Sequence, residues 1–187
     1  MPESLTRQRR PISGVKLHEL VQNDDARGSF TEFYRAMWID GPPSAQFNLV
    51  RSNPKTLRGI HVHVRHWDYL VVVQGVMHLC VGDLRTSSST FGAWDAIVLD
   101  SSRPQAAVIP PGVAHGFYFP QSCTHLYGIS EYWCPEEEMG CHWADPSLKL
   151  GWNVDAQPIL SARDSSLGSL KNLLRQLEPY QHAFSHR

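Results

Sequence analysis

The chain has 187 residues, 42% of them hydrophobic and 19% charged, with a formal net charge of -1 at pH 7. That length suits one substantial core and is short for two, so a single domain over residues 1–187 is expected. The near-neutral charge argues against nucleic acid and anionic membrane as partners, and the longest apolar run, Tyr69–Val73, is far too short to span a bilayer.

In chain order, residues 1–14 carry the basic run Arg7-Gln8-Arg9-Arg10 and read as a solvated N-terminal arm. No apolar stretch of a secretory signal is present there. The cysteines, Cys80, Cys123, Cys134 and Cys141, form neither a Cys-x-x-Cys pair nor a zinc-ribbon pattern. Reduced thiols and a cytoplasmic location are therefore expected. Strand signals then recur at short spacing: Ser29–Trp38, Ala45–Arg51, Leu57–Val64, Tyr69–Val73, Val76–Val81, Ala93–Leu99, Ala106–Ile109, Ala114–Phe119 and Thr124–Tyr132. Turn formers separate them, among them Asp25-Ala26-Arg27-Gly28, Gln74-Gly75 and Pro110-Pro111-Gly112. Met77–Val81 alternates, whereas the unbroken apolar run Tyr69–Val73 predicts a strand covered on both faces. Many short strands without long intervening helices predict an all-β sandwich or barrel. One helix is expected over residues 165–178, where Leu167, Leu170, Leu173, Leu174 and Leu177 fall on one stripe, after Asp164-Ser165-Ser166 as caps and before Pro179.

Two segments carry the chemistry, Leu57-Arg58-Gly59-Ile60-His61-Val62-His63 and Ile109–Phe117 with His115. A strand holds an imidazole rigidly, so that it can act as base, acid or metal ligand. Other marks stand in order around them: Asp25–Phe30 with Glu32, Gln46-Phe47-Asn48, Asp83-Leu84-Arg85, Ser89–Gly92, Glu131-Tyr132-Trp133, Trp143 with Asp145-Pro146, and Leu160–Asp164. In this set the chain resembles the dTDP-4-dehydrorhamnose 3,5-epimerase family from about Val15 to Asp164. The resemblance implies a cupin-type jelly-roll barrel and a homodimer in which N-terminal strands cross to the partner. It also implies an isomerase that inverts carbon 3, carbon 5 or both of a nucleotide-diphosphate 4-keto-6-deoxysugar through an enolate. Such a reaction needs a base on one face, an acid on the other and stabilisation of the enolate oxygen. By resemblance His61 is the base, Asp164 the carboxylate that orients it, and Tyr132 the acid. Arg27 and Arg58 match diphosphate-gripping positions, Glu32, Gln46 and Asn48 lie near the nucleotide, and His115 lines the pocket. No organic cofactor is implied. Read alone, Tyr132 also fits a packed aromatic, and Arg27 a surface ion pair with Asp25.

One departure from the family changes the expected chemistry. Counted back from Gly75, Asp68 occupies the position where the family has a lysine beside the developing oxyanion. A carboxylate there is repulsive to the enolate, with Arg65 and His66 the nearest cations in sequence. His61-x-His63, Asp68, Gly75 and the downstream His115 also resemble the metal-binding motifs of cupins. That pattern suggests a divalent transition metal held by His61, His63, Asp68 and His115, as the alternative to a metal-free site. A His61 bound to metal is not a free base. Metal-dependent cupin chemistry, a catalytically inactive nucleotide-sugar binder, and ketone isomerisation by paired histidines therefore stand beside epimerisation.

Overall fold

The computed structural model describes residues 11–135, 138–148, 152, 154 and 157–184. Two five-stranded antiparallel sheets face one another in a jelly roll. The first has the order β1-β9-β6-β11-β4 and the second β12-β5-β10-β7-β8, with a separate β2–β3 hairpin. The strands are β1 (Lys16–Glu19), β2 (Gln22–Asp25), β3 (Gly28–Thr31), β4 (Gln46–Ser52), β5 (Thr56–Val62), β6 (Asp68–Gln74), β7 (Val76–Asp83), β8 (Trp94–Asp100), β9 (Gln105–Ile109), β10 (Val113–Phe119), β11 (Cys123–Ile129) and β12 (Met139–Gly140). The strands expected from Ala45 to Phe119 all form. The aromatic run Ser29–Trp38 does not form one strand: β3 ends at Thr31 and a 3-10 turn spans Ala36–Trp38. Its rings pack against the sheet instead of joining it. Tyr34 meets Tyr69 edge-on at 5.1 Å, and Trp38 stacks on His18.

Alternation along the strands sorts the apolar side chains into three layers. Between the sheets, Leu70 and Val72 of β6 meet Leu79 and Val81 of β7, Leu99 of β8, and Phe117 and Phe119 of β10. On the outer face of the first sheet, Tyr69, Val71, Ala106 and Val108 lie under Leu20, Ile39 and Trp67. This double cover accounts for the apolar run of β6 from Tyr69 to Val72, whereas Val73, expected under the same cover, is 53% exposed. On the outer face of the second sheet, Ile60, Val62 and Ala114 are covered by the C-terminal helices.

Those helices are shorter and more numerous than the leucine stripe predicts: α1 (Ala162–Ser166), α2 (Leu170–Leu177) and α3 (Gln181–Phe184). The break has a local cause. Ser161 and Ser169 each cap a helix, their hydroxyls accepting the N–H of Asp164 and Asn172 three residues on. Asp164 thus lies in the first turn of α1, not in a cap. Leu170, Leu173 and Leu177 bury the inner face of α2. At the other end, residues 1–10 of the expected arm lie outside the described residues. From Ile12 on, the chain is anchored: Ile12 sits in the core, and Arg85 donates to the Ser13 carbonyl at 2.6 Å. Among the described residues, no helix is long and apolar enough to cross a membrane.

Candidate active site

The site begins with an irregularity between β5 and β10. His115 pairs with His61 and Phe117 with Arg58, so Gly59 and Ile60 together oppose the single residue Gly116. This is a β-bulge, and it shifts the alternation of β5 by one. Arg58 and His61, three residues apart, both border a cavity of about 460 Å³ with His63, His115, His125 and Tyr127. Gly59 makes the bulge feasible. Its φ is +111°, and a Cβ there would meet the Gly116 Cα at 2.8 Å and the His115 carbonyl oxygen at 2.9 Å.

One wall carries a carboxylate–imidazole pair. His61 Nε2 and Asp164 Oδ1 are 2.7 Å apart, with the His61 side chain 17% exposed. An ionised carboxylate only accepts, so Nε2 bears the hydrogen and Nδ1 keeps its lone pair. Burial pushes the Asp164 carboxyl up, but the bonds from His61, the Ser161 hydroxyl and the Gly59 N–H outweigh it and hold it below the usual range. The capped first turn of α1 therefore delivers this carboxylate to the ring.

Beyond His63 lies a second, fully buried group. Asp68, at the start of β6, points inward on the same face as Leu70 and Val72 and is 1% exposed. Tyr127 donates its hydroxyl to Asp68 Oδ1 at 2.7 Å and lies 3.3 Å from His63 Nε2. Its single proton being given to Asp68, it accepts from His63, whose Nδ1 keeps the lone pair. His66 Nε2 is 3.3 Å from Asp68 Oδ1, and His115 Nδ1 is 3.7 Å from Oδ2. The His63 ring stacks on His66 at 4.0 Å and tilts against His115 at 5.1 Å. Desolvation pushes His63 and His115 down, so they are neutral imidazoles at pH 7 despite the carboxylate. For Asp68, burial alone would raise the carboxyl, and the imidazoles beside it pull the other way, toward the low side of the carboxylate range.

Of the residues expected in the site, the fold gathers His61, Asp164, Arg58 and His115 around the cavity. Gln46 and Asn48 bond to each other at 2.8 Å on the β4 face shared with Val50, which does border it. Tyr132 is 79% exposed in the loop after β11 and does not line the cavity. Arg27 and Glu32 belong to the exposed β2–β3 region and pair with Asp25 and Arg35 respectively. The four-residue metal set His61, His63, Asp68 and His115 is corrected by the geometry. His61 is committed to Asp164, and the residues whose donor atoms converge are His63, His66 and Asp68. His66, His125 and Tyr127 are the additions. Strand parity on β11 would have found the last two, and the spacing His66-x-Asp68 the first.

A family model described as dTDP-4-dehydrorhamnose 3,5-epimerase matches residues 9–172. A dTDP-4-dehydrorhamnose 3,5-epimerase of Pseudomonas aeruginosa is 34% identical over 164 residues, covering 83% of this chain and 91% of that one. Two solved structures superpose closely. The dTDP-6-deoxy-D-glucose-3,5-epimerase of Legionella pneumophila, in complex with dTDP-4-keto-L-rhamnose, has a TM-score of 0.82 at 30% identity, covering 89% of this chain and 93% of that chain. The 3'-monoepimerase ChmJ of Streptomyces bikiniensis, in complex with dTDP-quinovose, has a TM-score of 0.80 at 31% identity, covering 89% and 88%. With a cupin-type barrel, a histidine–aspartate pair at its mouth and relatives that are isomerases, the chain belongs to the dTDP-4-dehydrorhamnose 3,5-epimerase family.

Proposed function

We propose that this protein epimerises a nucleotide-diphosphate 4-keto-6-deoxysugar, a dTDP-sugar, at carbon 3, carbon 5 or both, with His61 as the base. The 2.7 Å contact of His61 with Asp164, opening on the cavity, carries this reading. The substrate's own ketone acidifies the neighbouring C–H, so proton transfer through an enolate needs no redox cofactor. His61 Nδ1 takes the proton, and Asp164 stabilises the imidazolium that results. Arg58, held by its bond to the Ser52 hydroxyl, presents a planar cation suited to the diphosphate. Two tyrosines compete for the acid. Tyr127 borders the cavity, but burial and Asp68 push its hydroxyl far up and its proton is already engaged. Tyr132, the position matching the family's acid, is assigned that role, its exposed ring to be covered once substrate is bound. In deuterium oxide, His61→Asn should abolish solvent-deuterium wash-in, a loss on the order of 10⁴-fold. Tyr132→Phe should keep wash-in and lose inversion, because His61 returns the proton to the face it came from. Persisting wash-in in the first variant would overturn the base assignment.

The protein acts as a homodimer in the cytoplasm. The β2–β3 hairpin is almost wholly exposed, with Phe30 at 69% beside Arg27. Its crossing to a second copy would bury that ring and bring Arg27 and Glu32 to the partner's cavity. Light scattering should read twice the 21.2 kDa chain mass; a monomer would sink this arrangement.

A further inference from the structure

We infer that His63, His66 and Asp68 bind one divalent transition-metal ion of the zinc, cobalt, nickel or iron(II) class beneath the cavity. Their donor atoms all lie within 4.8 Å of one another, and bonds of about 2.1 Å to one tetrahedral ion place donors roughly 3.4 Å apart. Small side-chain adjustments close that difference. All three side chains are buried, at 4%, 8% and 1% exposure. Burial of this kind is costly unless each polar atom finds a partner. One does not: His66 Nε2 lies near Asp68 but out of hydrogen-bond alignment, and it has no hydrogen-bond partner among the described residues.

The donor chemistry selects the ion. Two imidazoles and one carboxylate suit borderline transition metals, whereas calcium and magnesium ask for all-oxygen shells. Support around the donors is already built. The Tyr127 hydroxyl fixes one Asp68 oxygen and orients His63, the kind of outer contact that holds metal ligands in place. This set differs from the cupin-like pattern in the sequence, because His66 replaces His61, which is held by Asp164. A bound cation also bears on the proposed reaction. On that reading, its charge would lie behind the wall of His63 and Tyr127, near the position where the family has a lysine, and would offset Asp68 in stabilising an enolate in the cavity.

The test uses untagged full-length protein purified without chelator. Mass spectrometry should find about one transition-metal ion per chain. After stripping, titration with Co²⁺ should give the visible absorption of an N/O-ligated ion of low coordination number. Asp68→Asn and His66→Ala should each weaken Co²⁺ binding by about 100-fold or more, and His61→Asn should leave it unchanged. Because a variant can fail by misfolding, Zn²⁺ is also added to the stripped wild type, where it should raise the melting temperature. A wild type that purifies metal-free and ignores Co²⁺ up to about 1 mM overturns the site. So does a His61→Asn variant that loses Co²⁺ as fully as His66→Ala. Deuterium wash-in, run on metal-loaded and stripped protein, separates this inference from the epimerase reading. Wash-in without any metal binding removes only the site, and metal binding without wash-in in either form removes only the epimerase.

Discussion

Two carboxylate–imidazole systems are built from the same groups, one bordering the cavity and one buried beside the His63 and Tyr127 that line it. On one side a single histidine meets a single aspartate, 2.7 Å apart and partly open to the cavity. On the other, Asp68 is enclosed by three imidazoles and a tyrosine hydroxyl with almost no solvent. The difference lies in count and burial. One imidazole with one carboxylate and a route to solvent gives a proton a way in and out. The buried His63 and His115 are poor at that, because desolvation penalises each added proton. Imidazoles around one buried anion are good at sharing a cation.

The sharpest way to break this comparison is at Asp164. Asp164→Asn keeps the shape but removes the anion that fixes the His61 tautomer, so wash-in should fall on the order of 10³-fold with the melting temperature nearly unchanged. A rate within tenfold of wild type would mean that the pair does not set the base. Asp68→Asn should act the other way, chiefly on stability. Replacing one carboxylate oxygen by an amide NH₂ sets a donor among buried donors, the Tyr127 hydroxyl included, and costs about 1–3 kcal/mol. Denaturant unfolding of the two variants side by side reads the contrast, and equal losses in both would erase it.

The remaining contrast is a pH dependence. Burial, with the Arg58 charge behind it, pushes the His125 imidazole down to about 4. Unfolded, it titrates near 6.5. Between those values the unfolded chain binds a proton that the folded chain refuses. Stability is therefore full above about 6.5, falls by up to about 1.4 kcal/mol per pH unit below it, and levels off below about 4. His63 adds to the loss with the same sign. His125→Gln should flatten the melting temperature between pH 6.5 and 5, and an unchanged slope would assign the loss to His63 and His115.

The sequence was most legible where the local pattern and the packing agree. Alternation in Met77–Val81 and the apolar run Tyr69–Val73 led to the right strands, although cover on both faces stops at Val72 and Val73 is 53% exposed. Legibility failed where an aromatic serves packing across the chain. Tyr34 and Trp38 look like strand residues but lie over the outer face of a sheet they do not join. Among the candidate residues, the motif pointed to His61 and Asp164, which the fold brings within 2.7 Å across 103 positions. Distances and competing partners were not readable. That His61 is taken by Asp164, and His66 turned toward Asp68 in its place, depends on tertiary contacts that spacing alone does not encode.

The extra residue in β5 has a consequence for how this site can change. Arg58 and His61, three positions apart, face the cavity together because Gly59 and Ile60 stand against one residue of β10. Straightened at its present length, the strand would turn one of these two side chains out of the cavity. Loss of one intervening residue would keep both on the same face, two positions apart in a regular pleat. What this segment must preserve is therefore parity, and its extra residue is carried only because Gly59 has the backbone freedom a bulge asks for. Sequence drift can retune the histidines and carboxylates one at a time, but a side chain at Gly59 would strain the bulge that aims Arg58 and His61.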